Sequence, residues 1–103
     1  MVLFPVYVRD DAKEVKSFPS FEVMQAYLEP IDVENHEYEA WDAEGCILEL
    51  AVRKPKSEWL KISQSGRTLS QGEFGEIKTN AVPYHQPESL LRGLGRKLGI
   101  VRE

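Results

Sequence analysis

Alternating apolar and polar residues on both sides of a short turn predict a β-hairpin over residues 37–52. An aspartate opens the turn at residues 42–45 and can bond its own backbone, as in a type I turn. Gly45 closes the turn, because glycine adopts the positive φ that a bulged hairpin loop needs. This turn sets Trp41 opposite Ile47, and that register decides which side chains share a face.

The two faces of the predicted hairpin differ in chemistry. One face is apolar and aromatic and is predicted to be core; it carries Tyr38, Ala40, Leu48, Leu50 and Val52. The other face mixes apolar and acidic side chains, namely Trp41, Ile47, Ala51, Glu37, Glu39 and Glu49. Because a contiguous apolar patch on a small soluble domain usually has a partner, this second face is the first candidate for a functional surface.

The residues before the hairpin predict two strands, a helix and a short extended segment. Residues 2–8 are β-branched and aromatic and predict a strand, in which Pro5 implies an edge position or a bulge. Residues 14–18 predict a short return strand. Ser20 is a good N-cap for a helix over residues 21–28 with an apolar stripe, and residues 30–35 are expected to be extended.

The residues after the hairpin give a strand, an ambiguous region and a closing helix. Residues 58–63 predict a strand whose Leu60 and Ile62 join the core face, while Trp59 and Lys61 join the mixed face. Residues 64–86 carry weak signals, with a short strand predicted over 74–78; the region is either undetected structure or a functional loop. Pro87 and Gly99 bracket a closing helix over residues 87–98.

The order of elements is therefore β-β-α-(β)-β-β-β-α, which predicts an α+β fold with a mainly antiparallel sheet and two helices. At 103 residues the chain is expected to form a single domain over residues 1–103, large enough for one core.

Composition indicates a soluble globular protein, with 42% hydrophobic and 29% charged residues. The apolar opening of the chain has neither basic residues before it nor a small-residue cleavage site after it. It therefore predicts neither a secretory signal nor a membrane span. A single cysteine, Cys46, excludes an internal disulfide and indicates a reducing compartment, so a cytoplasmic location is expected.

Charge is unevenly distributed along the chain, although the net charge is only −4. Residues 1–52 hold three basic and twelve acidic residues (net −9), and residues 53–103 hold ten basic and five acidic residues (net +5). Such asymmetry is found in nucleic-acid-binding proteins and in chains that pair through opposite charges. The simpler interpretation, which we favour, is that the two halves neutralise each other within one fold.

No catalytic, cofactor-binding or metal-binding residue is predicted. Cys46 has no sequence cue for activation as a nucleophile. His36 lies among acidic residues at 32–37, yet their spacing matches neither an EF-hand nor a zinc site. Residues 72–75 lack the Lys-Ser/Thr of a phosphate-binding loop. The pair Glu39 and Glu49 is expected to consist of ordinary surface carboxylates.

The leading functional hypothesis is a small non-enzymatic domain that binds another protein, as an adaptor, inhibitor or immunity-type protein, or binds a second copy of itself. The expected interface has an apolar centre of Trp41, Ile47 and Trp59 with a charged rim of Glu39, Glu49 and Lys61. In the alternative interpretation of the same pattern, a helix covers this face and both tryptophans are core.

Two other functions are kept as alternatives. Nucleic-acid binding would use two groups of basic residues in the second half, one of Arg53, Lys54 and Lys56 and one of Arg92, Arg96, Lys97 and Arg102. The net negative charge and the lack of a known binding motif argue against it. A small enzyme would need a pocket with at least two polar groups of shifted pKa, such as His85 with a carboxylate.

Overall fold

A mixed, mostly antiparallel sheet is the central feature of the computed structural model, which describes residues 2–53 and 59–84. In these residues the sheet has six strands in the order β5-β4-β3-β1-β2-β6, and only β2 and β6 pair in parallel. The elements are β1 (Val6–Arg9), β2 (Val15–Phe18), α1 (Phe21–Tyr27), α2 (Pro30–Glu34), β3 (Glu39–Trp41), β4 (Cys46–Val52), β5 (Leu60–Thr68), α3 (Gln71–Asn80) and β6 (Val82–Pro83). The α+β class is confirmed, while the element order differs from the prediction in α2, α3 and β6.

The predicted β3–β4 hairpin is present with the predicted register. Trp41 pairs with Ile47, and Ala40 pairs with Leu48. In the turn, Asp42 Oδ1 accepts the backbone N–H groups of the second and fourth residues after it, at 2.9 and 3.0 Å. The glycine that closes the turn has a φ of 83°, as the bulged loop requires.

Strand β1 is central and not at an edge, which corrects the interpretation of Pro5. The strand begins at Val6, one residue after the proline, and lies between β3 and β2. Because Pro5 precedes the strand, its missing N–H removes no ladder hydrogen bond.

Helix α1 forms as predicted, since Ser20 Oγ accepts the N–H of Val23 at 3.2 Å and caps the first turn. The predicted extended segment at residues 30–35 is wrong, because these residues form α2. Pro30 occupies the first turn of this helix, where its fixed φ is already helical. Ile31 and Val33 do not share a strand face: the first is 61% exposed and the second is buried.

Helix α3 lies in the region where the sequence pattern was weak, and the strand predicted at 74–78 is wrong. Ser70 and Glu73 form a capping box at its start, with Ser70 Oγ accepting the Glu73 N–H at 3.2 Å. Strand β5 also extends farther than predicted, to Thr68. The helix predicted at residues 87–98 lies outside the described residues.

Helices cover both faces of the sheet, so each face has its own apolar cluster. The larger cluster lies on the α1 and α2 side and is formed by Val6, Val8, Phe18, Met24, Leu28, Val33, Ala40, Leu48 and Leu60. The smaller cluster lies on the α3 side and is formed by Val15, Trp41, Phe74 and Ile77. None of the described helices has the length and apolar character to cross a bilayer.

Candidate functional site

Trp41 belongs to the core and not to an exposed patch. Its side chain is only 4% exposed and packs against Phe74 and Ile77 of α3. The guanidinium of Arg9 lies 5.1 Å from the centre of its ring. Ile47 packs half-buried against the same cluster. The structure at Trp41 and Ile47 therefore agrees with the alternative interpretation, in which a helix covers the mixed face.

Trp59 is separated from Trp41 by the sheet. It is half-buried and packs against the larger cluster, on the α1 and α2 side. The sequence placed it on the other face by strict alternation from Leu60, but Trp59 precedes the first residue of β5 and does not follow that alternation. The structure therefore does not bring Trp41, Ile47 and Trp59 together as one apolar centre.

The charged rim is also divided. Glu39 is paired with Arg9, whose Nη2 lies 2.7 Å from Glu39 Oε1. Glu49 and Lys61 are both exposed, and neither takes part in an ion pair within residues 2–53 and 59–84. In the β4–β5 ladder Glu49 lies opposite Ser63, and Lys61 lies opposite Ala51.

Glu49 and Lys61 nevertheless both line an open cleft of about 530 Å³, here called the β4 cleft. Its apolar wall is formed by Val33, Tyr38, Leu48 and Leu50. Polar groups and one small residue complete it: His36, Glu49, Ala51, Lys61 and Ser63. A concave surface that combines apolar walls with a few polar groups is the usual form of a binding site.

The cleft exists because two paired strands differ in length. Strand β3 begins at Glu39, whereas β4 continues to Val52. Upstream of β3 the backbone of His36 has a φ of 58°, in the left-handed region, and joins β3 to α2, a helix that contacts β4. The end of β4 therefore has no strand beside it on the β3 side among the described residues.

Backbone groups of β4 point into this opening. The N–H of Arg53 donates to the carbonyl of Trp59 at 2.7 Å, which identifies these residues as a hydrogen-bonded pair of the β4–β5 ladder. Such pairs alternate along an antiparallel ladder, so Leu50, which lines the cleft, directs its N–H and C=O groups away from β5 and towards the β3 side. Sheet edges of this kind can accept an added strand.

Tyr38 forms a fixed part of the cleft wall. Burial, with a further contribution from the carboxylate of Asp32, raises the pKa of Tyr38 to about 12. Its hydroxyl is therefore protonated at neutral pH and donates to Asp32 Oδ2 at 3.2 Å. This bond links the residue before β3 to α2.

A second, acidic cavity of about 300 Å³ lies beside Tyr38. Five carboxylates line it, those of Asp10, Asp11, Glu29, Asp32 and Glu37. Desolvation and the neighbouring Asp32 and Asp11 raise the pKa of Glu37. In the part of the chain that the structure describes, no cluster of histidine, cysteine, aspartate or glutamate is arranged to hold a metal ion.

Three more of the predicted interface residues line a third cavity, of about 430 Å³, on the α3 side of the sheet. Glu39, Trp41 and Ile47 lie there with Arg9 and Arg67. Three of the six predicted residues thus line this cavity, two line the β4 cleft, and Trp59 lines neither. Sequence reasoning missed Val33 of the cleft wall because it predicted residues 30–35 to be extended, and it considered His36 only as a metal ligand.

The basic residues of the nucleic-acid hypothesis are not brought together by the described structure. Arg53 is exposed at the end of β4, and the other six lie outside the described residues. Cys46 is half-buried at the start of β4, with its sulfur 4.0 Å from the Thr68 hydroxyl.

Comparison with models of known protein families, with curated proteins and with solved structures found no match. The geometry of the chain itself is therefore the basis for any functional proposal.

Proposed function

We propose that this domain is a non-enzymatic protein-binding module that recognises an extended segment of its partner in the β4 cleft. The observation that carries the proposal is the open end of β4 beside an apolar wall. Leu50 offers a backbone donor and acceptor there, and Val33, Tyr38 and Leu48 offer apolar contacts. An added strand would gain affinity from the backbone and specificity from its alternating side chains.

The rim of the cleft suggests the character of the bound segment. Glu49 and Lys61 are exposed charges without ion-pair partners among the described residues, so each can pair with an opposite charge on the partner. One side of the bound segment would then be apolar, facing Leu48 and Leu50, and the other side would be charged. Such a module can serve as an adaptor, inhibitor or immunity-type protein.

Self-association is part of the proposal, since a second copy of the chain is also a protein partner. A reducing, cytoplasmic setting is proposed with it, on the basis of the single free Cys46. Nucleic-acid binding and catalysis remain hypotheses that no contact among the described residues supports.

The experiment that tests the cleft uses two matched tyrosine substitutions. Ala51 is exposed and lines the cleft, whereas Thr68 is exposed on the neighbouring strand and does not line it. Proteins captured from the native cells by the wild type are identified, purified and titrated against each variant by calorimetry. We expect Ala51→Tyr to weaken binding by about tenfold or more, because the new side chain fills the cleft, and Thr68→Tyr to leave affinity unchanged.

Two results would overturn the proposal. Equal affinity of the wild type and Ala51→Tyr for the captured partner would place binding on another surface. The absence of any protein that binds the purified domain directly would remove protein binding altogether.

A further inference from the structure

A track of side chains on the mixed face of the sheet leads out of the β4 cleft. Along β4 these side chains are Ala51, Glu49 and Ile47, which alternation places on one face. The first two line the β4 cleft and the last lines the third cavity. We infer that a segment bound in the β4 cleft continues into the third cavity, where one of its aspartate or glutamate side chains pairs with Arg67. The inference rests on the proposed function and adds a charged residue of the partner.

The bound segment cannot continue beside β4, because β3 occupies that place. Ala40 of β3 pairs with Leu48, so the free edge of β4 ends there. Tyr38 and Leu48 line both the β4 cleft and the third cavity, which places the two openings side by side where β3 and β4 separate. A segment that leaves the edge at this point can pass over Ile47 on the mixed face and enter the third cavity.

Helix α3 covers only part of the mixed face. Its buried residues pack on Trp41 of β3. On the two neighbouring strands, Glu49 and Arg67 are exposed, and Ile47 is only half-buried. These three side chains are therefore accessible to a partner.

Four charged side chains line the third cavity, and three of them are already engaged. Arg9 and Glu39 form an ion pair at 2.7 Å. Glu73 Oε1 accepts hydrogen bonds from the N–H and the hydroxyl of Ser70 at 3.4 and 3.1 Å, as part of the capping box. The guanidinium of Arg67 forms no ion pair within the described parts of the chain. It therefore offers an unpaired positive charge to a ligand.

A single carboxylate is the group that matches this charge. A guanidinium binds a carboxylate through two parallel N–H···O bonds. Ile47 and Leu69 are half-buried and line the same cavity, so they shield the ion pair from part of the solvent. A doubly charged phosphate fits less well, because the carboxylates of Glu39 and Glu73 also line the cavity and repel it.

The shape of the surface favours a side chain over the terminal carboxylate of the partner. A fourth cavity, of about 420 Å³, adjoins the third and shares Arg9, Trp41, Leu69 and Glu73 with it. The bound segment can therefore continue past Arg67 along α3. A carboxylate on a chain that continues is that of an aspartate or a glutamate.

The track also predicts where the acidic residue lies in the bound segment. Leu50 and Ile47 are about 10 Å apart along β4, which is the length of three strand residues. Ile47 lies opposite the irregular part of β5 that contains Arg67, because the ladder register shifts between Cys46 and Leu48. In an extended segment the acidic residue should thus lie about three or four positions from the residue that packs on Leu50.

Peptide selection tests the inference without a known partner. A display library of random peptides about twelve residues long, which span about 40 Å when extended, is selected on the wild type and on each variant. We expect the wild type to select peptides with an acidic residue about three or four positions from an apolar one. Arg67→Gln should lose this acidic preference. The control Thr68→Glu changes the net charge equally at an exposed residue that lines neither opening, and it should keep the preference.

A double-mutant cycle on one selected peptide measures the ion pair itself. The synthetic peptide, and a form in which glutamine replaces the acidic residue, are titrated by calorimetry against the wild type and Arg67→Gln. Loss of either charge should weaken binding about fivefold, and loss of both should weaken it no further. Circular dichroism checks that each variant is folded.

The outcomes separate this inference from the proposed function. Peptides that Ala51→Tyr no longer binds, but that bind Arg67→Gln as tightly as the wild type, would retain the β4 cleft and overturn the pairing with Arg67. The pairing would also be overturned if Thr68→Glu lost the acidic preference, or if amidation of the peptide C-terminus abolished binding. Equal binding to the wild type and Ala51→Tyr, or no selected peptide at all, would overturn the β4 cleft and this inference together.

Discussion

The substitution Gly45→Ala should reveal how tightly α3 is packed on the β3–β4 hairpin. A Cβ added to Gly45 would lie 3.1 Å from Cδ2 and 3.2 Å from Cγ of Phe74. The Phe74 ring is confined, since Tyr7 contacts it edge-on at 5.6 Å between centroids and Lys78 Nζ lies 4.8 Å from its centre. Overpacking at such a site costs about 1–3 kcal/mol.

The backbone at Gly45 adds a second penalty. Its φ of 83° lies in the region that L-residues avoid, at a cost of roughly 1–2 kcal/mol. We therefore expect Gly45→Ala to lower the free energy of unfolding by about 2–5 kcal/mol in total. Urea unfolding followed by far-ultraviolet circular dichroism measures the change.

Gly66→Ala is the matched control. Gly66 has nearly the same φ, 88°, but an added Cβ there would meet nothing within 4 Å. This variant should lose only the backbone term, about 1–2 kcal/mol. The difference between the two variants isolates the contact with Phe74. Equal destabilisation of both proteins would refute the close packing of α3 on the hairpin.

Two further predictions concern Trp41 and Tyr38. Each of the variants Trp59→Phe and Trp41→Phe leaves one tryptophan to be observed by fluorescence. Because Trp41 is buried and Trp59 is only half-buried, Trp41 in the first variant should emit at shorter wavelength and be quenched less by acrylamide than Trp59 in the second. Equal quenching of the two variants would contradict this placement. Burial raises the pKa of Tyr38 from 10.0 to about 12, so between these values the folded protein keeps a proton that the unfolded chain releases. The contribution of Tyr38 to the free energy of unfolding should thus be fully present below pH 10, and it should be lost as the pH rises towards 12. Tyr38→Phe should flatten this slope, measured by urea unfolding at pH 9.5 to 11.5, and an unchanged slope would show that another group causes it.

Local sequence signals determined the elements whose hydrogen bonds are short-range. The β3–β4 register was predictable because Gly45 marks the end of the turn and so fixes which residues pair. Helix α1 was predictable from the Ser20 cap and an apolar stripe. The α+β class followed from the order of hairpins and helices. The signal for α3 was also local, a serine followed three residues later by Glu73, but Gly72 and Gly75 concealed it because glycine disfavours helix interiors.

Only the tertiary structure decided which surfaces are exposed. Alternation correctly placed Trp41 and Glu49 on one face, yet it contains no information about the helix that covers part of that face. Helix α3 buries Trp41 and leaves Glu49 exposed at the β4 cleft. The cleft itself depends on where α2 and β3 diverge from β4, which involves residues far apart in sequence. The pairing of two strands joined by a short turn is a local property, whereas the covering of a sheet face is a property of the whole fold.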